Sequence, residues 1–402
     1  MIYCSELPNG MTLLGESMPH LKSCAFSLEI PAGVGHESRN CNGIASFVCE
    51  MALRGCGRWG SREFMEILQG MGVDRGERVG IGYTSYCAAF PAEYLSDTLE
   101  IYGSLAREAH FDADGLEPSR QSVVLERQAL DDDPGTLVAL AARKDFFPDP
   151  WGLHPWGEID VLERLSLDEI RAFYKKFYRP DGAVLSVAGA FDWDQLLQTV
   201  ERVFLPWKSQ GRIEIEDQAK PRVNRHVPFD SQQTHIIIGF NGIPYSHPDY
   251  YRLWAAISAL GGGTSGRLFS EVREKRGLCY SVGASYYSLP RHAGVFCSAS
   301  TSSERSHETK NCMEKEIEKL FDGITEPELN RVKVRARSSL IMEQELCGSR
   351  ASNLASDWMN LKKLPTLEQR CERVEELTLE SVNSYLVEHV PADFQITTLG
   401  PE

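Results

Sequence analysis

Ser166-Leu-Asp-Glu-Ile-Arg-Ala-Phe-Tyr-Lys-Lys-Phe-Tyr-Arg-Pro-Asp-Gly-Ala-Val-Leu-Ser-Val-Ala-Gly189 presents a cap, an amphipathic run, a proline, an apolar run and a glycine, in that order. Ser166 and Glu169 have capping-box spacing, which predicts a helix over Ile170–Phe177. Pro180 stops it, and Ala183–Ala188 reads as a strand ending at Gly189. The same order returns near the end of the chain. Thr378-Leu-Glu-Ser381 opens a helix over Val382–Glu388, Pro391 follows, Phe394–Leu399 is strand-like, and Gly400 closes it. Two segments of nearly equal length with one plan point to a duplicated α+β domain.

The rest of the chain fits two such copies. Alternation through Met11–Glu16, Ser23–Pro31 and Tyr83–Phe90 predicts strands with one buried face. Helical spacing covers Gly43–Arg54, Ser61–Leu68, Ala92–Ala109, Glu117–Leu130, Thr136–Phe146 and Asp192–Phe204. The charged stretch with Pro206 and Pro221 reads as a linker. The expected domains are therefore 1–208 and 228–402, joined by 209–227. The second begins with a strand at His235–Phe240 and a helix at Asp249–Leu260. A helix at Gly266–Lys275, strands at Ser281–Ser288 and Val295–Ala299, and helices at Glu304–Phe321 and Glu326–Glu345 follow.

A chain of 402 residues is long for one core and suits two domains of about 200 residues. With 42 Lys+Arg against 57 Asp+Glu, the formal charge is -15, which repels phosphate backbones and argues against nucleic-acid binding. There is no apolar run of about 18 residues, so no membrane span is expected. The start, Met1-Ile-Tyr-Cys-Ser-Glu6, has neither a basic nor an apolar signal region. The 11 cysteines show no CxxC pair and read as reduced thiols, which together with the missing signal predicts a cytoplasmic protein.

Two features invite functional readings that their contexts weaken. Gly261-Gly-Gly263 follows a helix and lacks both phosphate-loop patterns, so it reads as a turn or hinge. Arg273 lies among Glu271, Glu274, Lys275 and Arg276, a run that by itself reads as solvated surface. Tyr280 opens an apolar strand, where a core position is the ordinary expectation.

Read whole, however, Gly261-Gly-Gly-Thr-Ser-Gly-Arg-Leu-Phe-Ser-Glu-Val-Arg-Glu-Lys-Arg-Gly-Leu-Cys-Tyr280 resembles the C-terminal-domain signature of pitrilysin/insulinase-type zinc peptidases, the inverted zincins, in their processing-peptidase-like branch. Pro31-Ala-Gly-Val-Gly-His-Glu37, Asn42-Gly-Ile-Ala-Ser-Phe47, Leu153-His-Pro-Trp-Gly157, Tyr178-Arg-Pro-Asp-Gly182, Val187-Ala-Gly189 and Thr398-Leu-Gly-Pro401 resemble further landmarks of that family. The likeness spans nearly the whole chain. The fold it implies is α+β: two duplicated domains, each an antiparallel-rich mixed sheet with helices packed on one face (the LuxS and mitochondrial-processing-peptidase type).

Enzymes of this family carry HxxEH on the helix that begins here near Gly43. Two imidazoles four residues apart share a helical face and hold zinc, and the glutamate activates the bound water. In this chain Ser46, Cys49 and Glu50 stand at those positions, and Glu126 falls near the third-ligand position. Serine is a poor zinc ligand, and a cysteine cannot replace the general base. No metal or cofactor is expected in this chain, and no peptide hydrolysis by the chain alone. The charged, glycine-rich Gly72–Gly80 stands where relatives have a short substrate-binding strand, which puts peptide docking on this half in doubt.

Arg273 and Tyr280 match the family's Arg/Tyr pair, whose guanidinium and phenol can donate hydrogen bonds to a carbonyl oxygen as it becomes an oxyanion. The resemblance therefore implies a substrate-binding, non-catalytic subunit. Zinc would sit on a homologous HxxEH-bearing partner, and short unstructured peptides would be the substrates. The alternatives are an inactive scaffold in a larger complex and a peptide-binding homodimer.

Overall fold

The computed structural model describes residues 1–401. The chain forms two compact units that interleave in sequence. The first holds Met1–Ala129, Leu153–Gln218 and Glu343–Met359; the second holds Leu130–Gly152, Ala219–Met342 and Asn360–Glu402.

The first unit is built on a six-stranded sheet of β1 (Ile2–Glu6), β2 (Thr12–Ser17), β3 (Ser23–Ile30), β4 (Asp74–Val79), β5 (Thr84–Pro91) and β6 (Val184–Gly189), in the order β1-β2-β6-β3-β5-β4. The second unit has five strands: β7 (Arg225–Pro228), β8 (Gln233–Asn241), β9 (Cys279–Ser288), β10 (Ala293–Ser302) and β11 (Gln395–Gly400). Their order is β9-β10-β8-β11-β7.

The repeated cap–helix–proline–strand–glycine segments occupy equivalent places. Ser166 and Glu169 form a reciprocal capping box on the helix Leu167–Phe177, as do Thr378 and Ser381 on Leu379–Glu388. Strand β6 lies parallel to β2 and antiparallel to β3. Strand β11 lies parallel to β7 and antiparallel to β8. The terminal glycines also correspond. A Cβ on Gly189 would lie 2.4 Å from the Ser23 carbonyl oxygen, and one on Gly400 would lie 2.9 Å from that of Gln233. Both take positive φ, at +135° and +158°.

Strand alternation places Leu13, Phe26, Leu28, Leu185 and Val187 on one face of the first sheet, packed against Phe47, Tyr102, Ile170 and Phe173 from the helices. Phe26 and Tyr102 meet edge-to-face at 4.9 Å. The second unit repeats this layering with Ile236, Ile238 and Phe240 against Leu253, Ile257, Ile317 and Leu386. Each such side chain contributes about 1.5–3 kcal/mol by leaving water. This is the expected α+β layering, with one addition on each reverse face. In the first unit Ala351, on the helix Cys347–Leu361, packs on Met18, Ala25 and Ala188, and Ser186 Oγ donates to its carbonyl at 2.6 Å. In the second, Phe146 of the helix Pro134–Phe146 packs on Phe296 at 5.1 Å.

Candidate functional site

The helix Ile44–Ala52, which carries the altered metal motif, has no cap of its own: Gly43 precedes it with φ +98°. Its orphan N–H groups are met instead by Glu37. Glu37 Oε2 accepts from Gly43 N at 2.8 Å and Asn42 Nδ2 at 2.7 Å, and Oε1 accepts from Ala45 N at 2.8 Å. Burial nevertheless dominates and raises this carboxyl to about 7, against the opposing pull of those three bonds. Leu153–Gly157 then closes on the same helix end. Gly157, with φ +64°, fits only without a side chain, since its Cβ would lie 2.5 Å from the Asn42 carbonyl oxygen.

The motif positions are engaged in ordinary protein contacts. Ser46 Oγ donates to the Pro155 carbonyl at 2.7 Å. Cys49 is buried, and loss of solvent pushes its thiol up to about 12, with a hydrogen bond from Tyr86 acting the other way. Tyr86 and Tyr178 are fully buried beside it and share a 2.7 Å hydroxyl contact. Glu50 pairs with Arg54 at 2.8 Å, one turn on. Glu126, on the helix Ala113–Ala129, has its carboxyl raised by burial and by the charge of Glu50.

These residues do not fit zinc. The thiol is held neutral, the serine hydroxyl is committed to a carbonyl, and a guanidinium sits on Glu50. Among the described residues, no group of three or more His, Cys, Asp or Glu side chains is placed to hold a metal ion.

The glycine-rich stretch Gly72–Gly80 contains a regular strand. β4 pairs antiparallel with β5 from Asp74↔Ala89 to Val79↔Thr84, and it forms one edge of the first sheet. Arg75 and Glu77, two residues apart on one face, form an ion pair. The departure in composition has thus left a strand edge in place.

In the second unit, Arg273 lies on a wide π-helical turn, Phe269–Glu274, where a regular helix is expected from sequence. Lys275 N donates to Ser270 O at 3.0 Å, the i to i−5 bond of such a turn, and single π-turns recur at functional sites. The guanidinium of Arg273 lies 4.8 Å from the ring centroid of Phe269 and 4.9 Å from that of Tyr280. Its charged neighbours pair among themselves: Lys275 and Arg276 both bind Glu271. Among the described residues Arg273 has no carboxylate partner. Tyr280 is 79% exposed on the edge strand β9, so it is no core residue.

The structure thus brings Arg273 and Tyr280 into contact and adds Phe269, which sequence reading did not single out. Phe269 and Arg273 are four residues apart, a spacing that does place side chains on one helical face. Glu37 was visible only as part of a family landmark, because a cap supplied from six residues before the N-cap has no spacing rule.

Comparison with known proteins places the chain in a family. The family described as "Insulinase (Peptidase family M16)" matches residues 12–150, and "Peptidase M16 inactive domain" matches residues 164–335. An uncharacterized zinc protease of Bacillus subtilis is 27% identical over 98% of this chain and 97% of its own. One from Rickettsia felis is 28% identical over 94% and 92%. The crystal structure of a peptidase M16 inactive domain from Pseudomonas fluorescens shares the fold with a TM-score of 0.92 and 22% identity, covering 100% of this chain and 98% of that one. With two matches of one family covering both halves, relatives aligned almost end to end, and Ser46, Cys49 and Glu50 standing in place of HxxEH, this chain belongs to the M16 peptidase family and lacks that family's zinc motif.

Proposed function

We propose that this chain is the non-catalytic, substrate-binding subunit of a heterodimeric zinc metallopeptidase that cleaves short unstructured peptides. A homologous partner with an intact HxxEH supplies zinc and general base. This chain supplies Arg273 and Tyr280 as hydrogen-bond donors to the scissile carbonyl, whose oxygen gains charge in the transition state. The observation that carries the reading is the state of Arg273: in contact with two aromatic rings, it has no carboxylate partner among the described residues. A guanidinium fixed in orientation with free N–H groups is ready to donate without reorganising. The edge strand β9, which carries Tyr280, supports a peptide lying extended beside it, since among the described residues no strand pairs with its outer side.

Residues 209–227 make one of the passages between the two halves, and the protein acts in the cytoplasm. The free state of the 11 cysteines supports a reducing compartment, and no helix among the described residues is long and apolar enough to cross a membrane.

The test is co-expression with an HxxEH-bearing relative from the same genome, followed by cleavage assays on unstructured peptides. Activity should belong to the pair, be absent from this chain alone, and fall on Arg273→Ala or Tyr280→Phe. Zinc-dependent cleavage by this chain alone would refute the reading. Full activity of the pair with both substitutions would instead leave this chain a scaffold, and a stable peptide-binding homodimer would leave it a binding protein.

A further inference from the structure

The helix Glu326–Glu343 has two apolar sides, which one layer of packing does not explain. Leu329, Val332 and Ala336 are buried against the second unit's core. At 100° per residue, Arg331, Val334, Arg335, Ser338, Ile341 and Met342 fall within an arc of about 120° on the opposite side. All six are exposed, Val334 at 68%, Ile341 at 46% and Met342 at 61%. A solvent face of this kind ordinarily carries charged and polar residues. Three large apolar side chains together there mark a contact surface.

Arg331 and Arg335 on this arc have no carboxylate partner among the described residues. That is informative in a chain with 57 acidic and 42 basic side chains, where carboxylates are in excess. Lys333, on the same helix but off the arc, has found Glu375. The arc also continues toward the Arg/Tyr surface within the same unit. The Arg335 guanidinium lies against the glycine triplet: a Cβ on Gly263 would stand 3.0 Å from its Nη1, and one on Gly262 would stand 3.2 Å away. Gly261 abuts Ala284, whose backbone N would lie 2.3 Å from a Cβ there. Ala284 and Tyr280 are four residues apart on the edge strand β9, about 13 Å along the strand, with a bulge between Cys279 and Ser281.

We infer that this arc is a specificity subsite for peptides that carry a carboxylate next to apolar side chains, Arg331 and Arg335 taking the carboxylate and Val334, Ile341 and Met342 the apolar groups. The inference rests on the proposed reading that a peptide lies along the Arg273 and Tyr280 surface, and it names the class of peptide.

The test measures fluorescence anisotropy of the purified chain with a labelled 12-residue unstructured peptide containing Asp and Glu among Leu and Phe. The same peptide with Asn and Gln in their place is the comparison. The acidic peptide should bind roughly tenfold more tightly, a ratio that shrinks as salt rises. Arg331→Gln with Arg335→Gln should bring the ratio to within about twofold, and Met342→Glu should weaken both peptides. These side chains are exposed, and an unchanged melting curve shows that the variants fold. Arg273→Gln should weaken both peptides and keep their ratio, which separates the subsite from the Arg/Tyr reading. An unchanged ratio in the double variant, equal or absent binding of the two peptides, or a dimer of this chain broken by Met342→Glu would each overturn the inference.

Discussion

Arg273 and Tyr280 are in contact, the guanidinium 4.9 Å from the centroid of the phenol ring, with Phe269 on the same guanidinium at 4.8 Å. The two residues come from different elements, a π-helical turn and an edge strand. The contact orients an otherwise flexible cation. It also explains why a tyrosine stays exposed at the start of a strand.

In the proposed two-chain enzyme, Arg273→Ala should lower kcat/KM by about 100- to 1,000-fold, the usual cost of one oxyanion donor. Phe269→Leu leaves the donor and removes one of its supports. Its expected loss is roughly 2- to 5-fold, from a cation–π contact of about 0.5–1 kcal/mol. Steady-state kinetics of the two variants on one peptide separate donation from positioning. Equal losses would contradict the assignment.

Glu37 makes the stability of the first unit depend on pH. Its carboxyl sits at about 7 in the folded chain against an ordinary value of 4.5, so the folded state holds the proton more tightly than the unfolded state. Its contribution is therefore complete below about pH 4.5 and is lost as pH rises through 7. Glu37→Gln removes the titration but turns an NH2 toward an N–H donor, costing about 1–3 kcal/mol at pH 5. Urea denaturation of both proteins from pH 5 to 8 should show the gap narrowing as pH rises.

Zinc should not stabilise this chain. A metal held at 100 times its Kd would add about 2.7 kcal/mol, a shift plainly visible in a melting curve. The expected outcome is an unchanged Tm with zinc present. In the same preparation, thiol alkylation followed by mass spectrometry should find exposed Cys4 modified and buried Cys49, pushed up to about 12, untouched until the chain unfolds.

The duplicated glycines offer a test of the fold. Gly189→Ala places a methyl group 2.4 Å from the Ser23 carbonyl oxygen at φ +135°, a clash compounded by backbone strain. It should cost more than the roughly 1–3 kcal/mol of strain alone. Gly72→Ala shares a positive φ, at +68°, but meets no neighbouring atom within 4 Å, and should cost only the strain. Equilibrium unfolding of the two variants gives the comparison directly.

Much of this was legible in the sequence because the signals are local. Capping boxes at Ser166 and Thr378 read correctly since both partners of each bond lie within three residues. The regular helix expected over Gly266–Lys275 became a π-turn, and β4 formed where charge and glycine obscured the alternation. β4 is settled by its hairpin with β5, closed at Val79↔Thr84, and both elements depend on pairing and packing that local propensity does not encode.

The sequence by itself determined the duplicated α+β plan, because periodicity is a property of short segments, and its resemblance to the family set Ser46, Cys49 and Glu50 at the HxxEH positions. Only the tertiary structure decided what those residues do in place of metal binding: Ser46 on a carbonyl, Cys49 sealed against Tyr86, Glu50 on Arg54. It also decided that Arg273, among the described residues, meets two rings and no carboxylate while its neighbours neutralise one another. Which carboxylate a cation meets depends on where the folded backbone carries each of them. In a chain of mixed charges, that choice exists only once the fold is made.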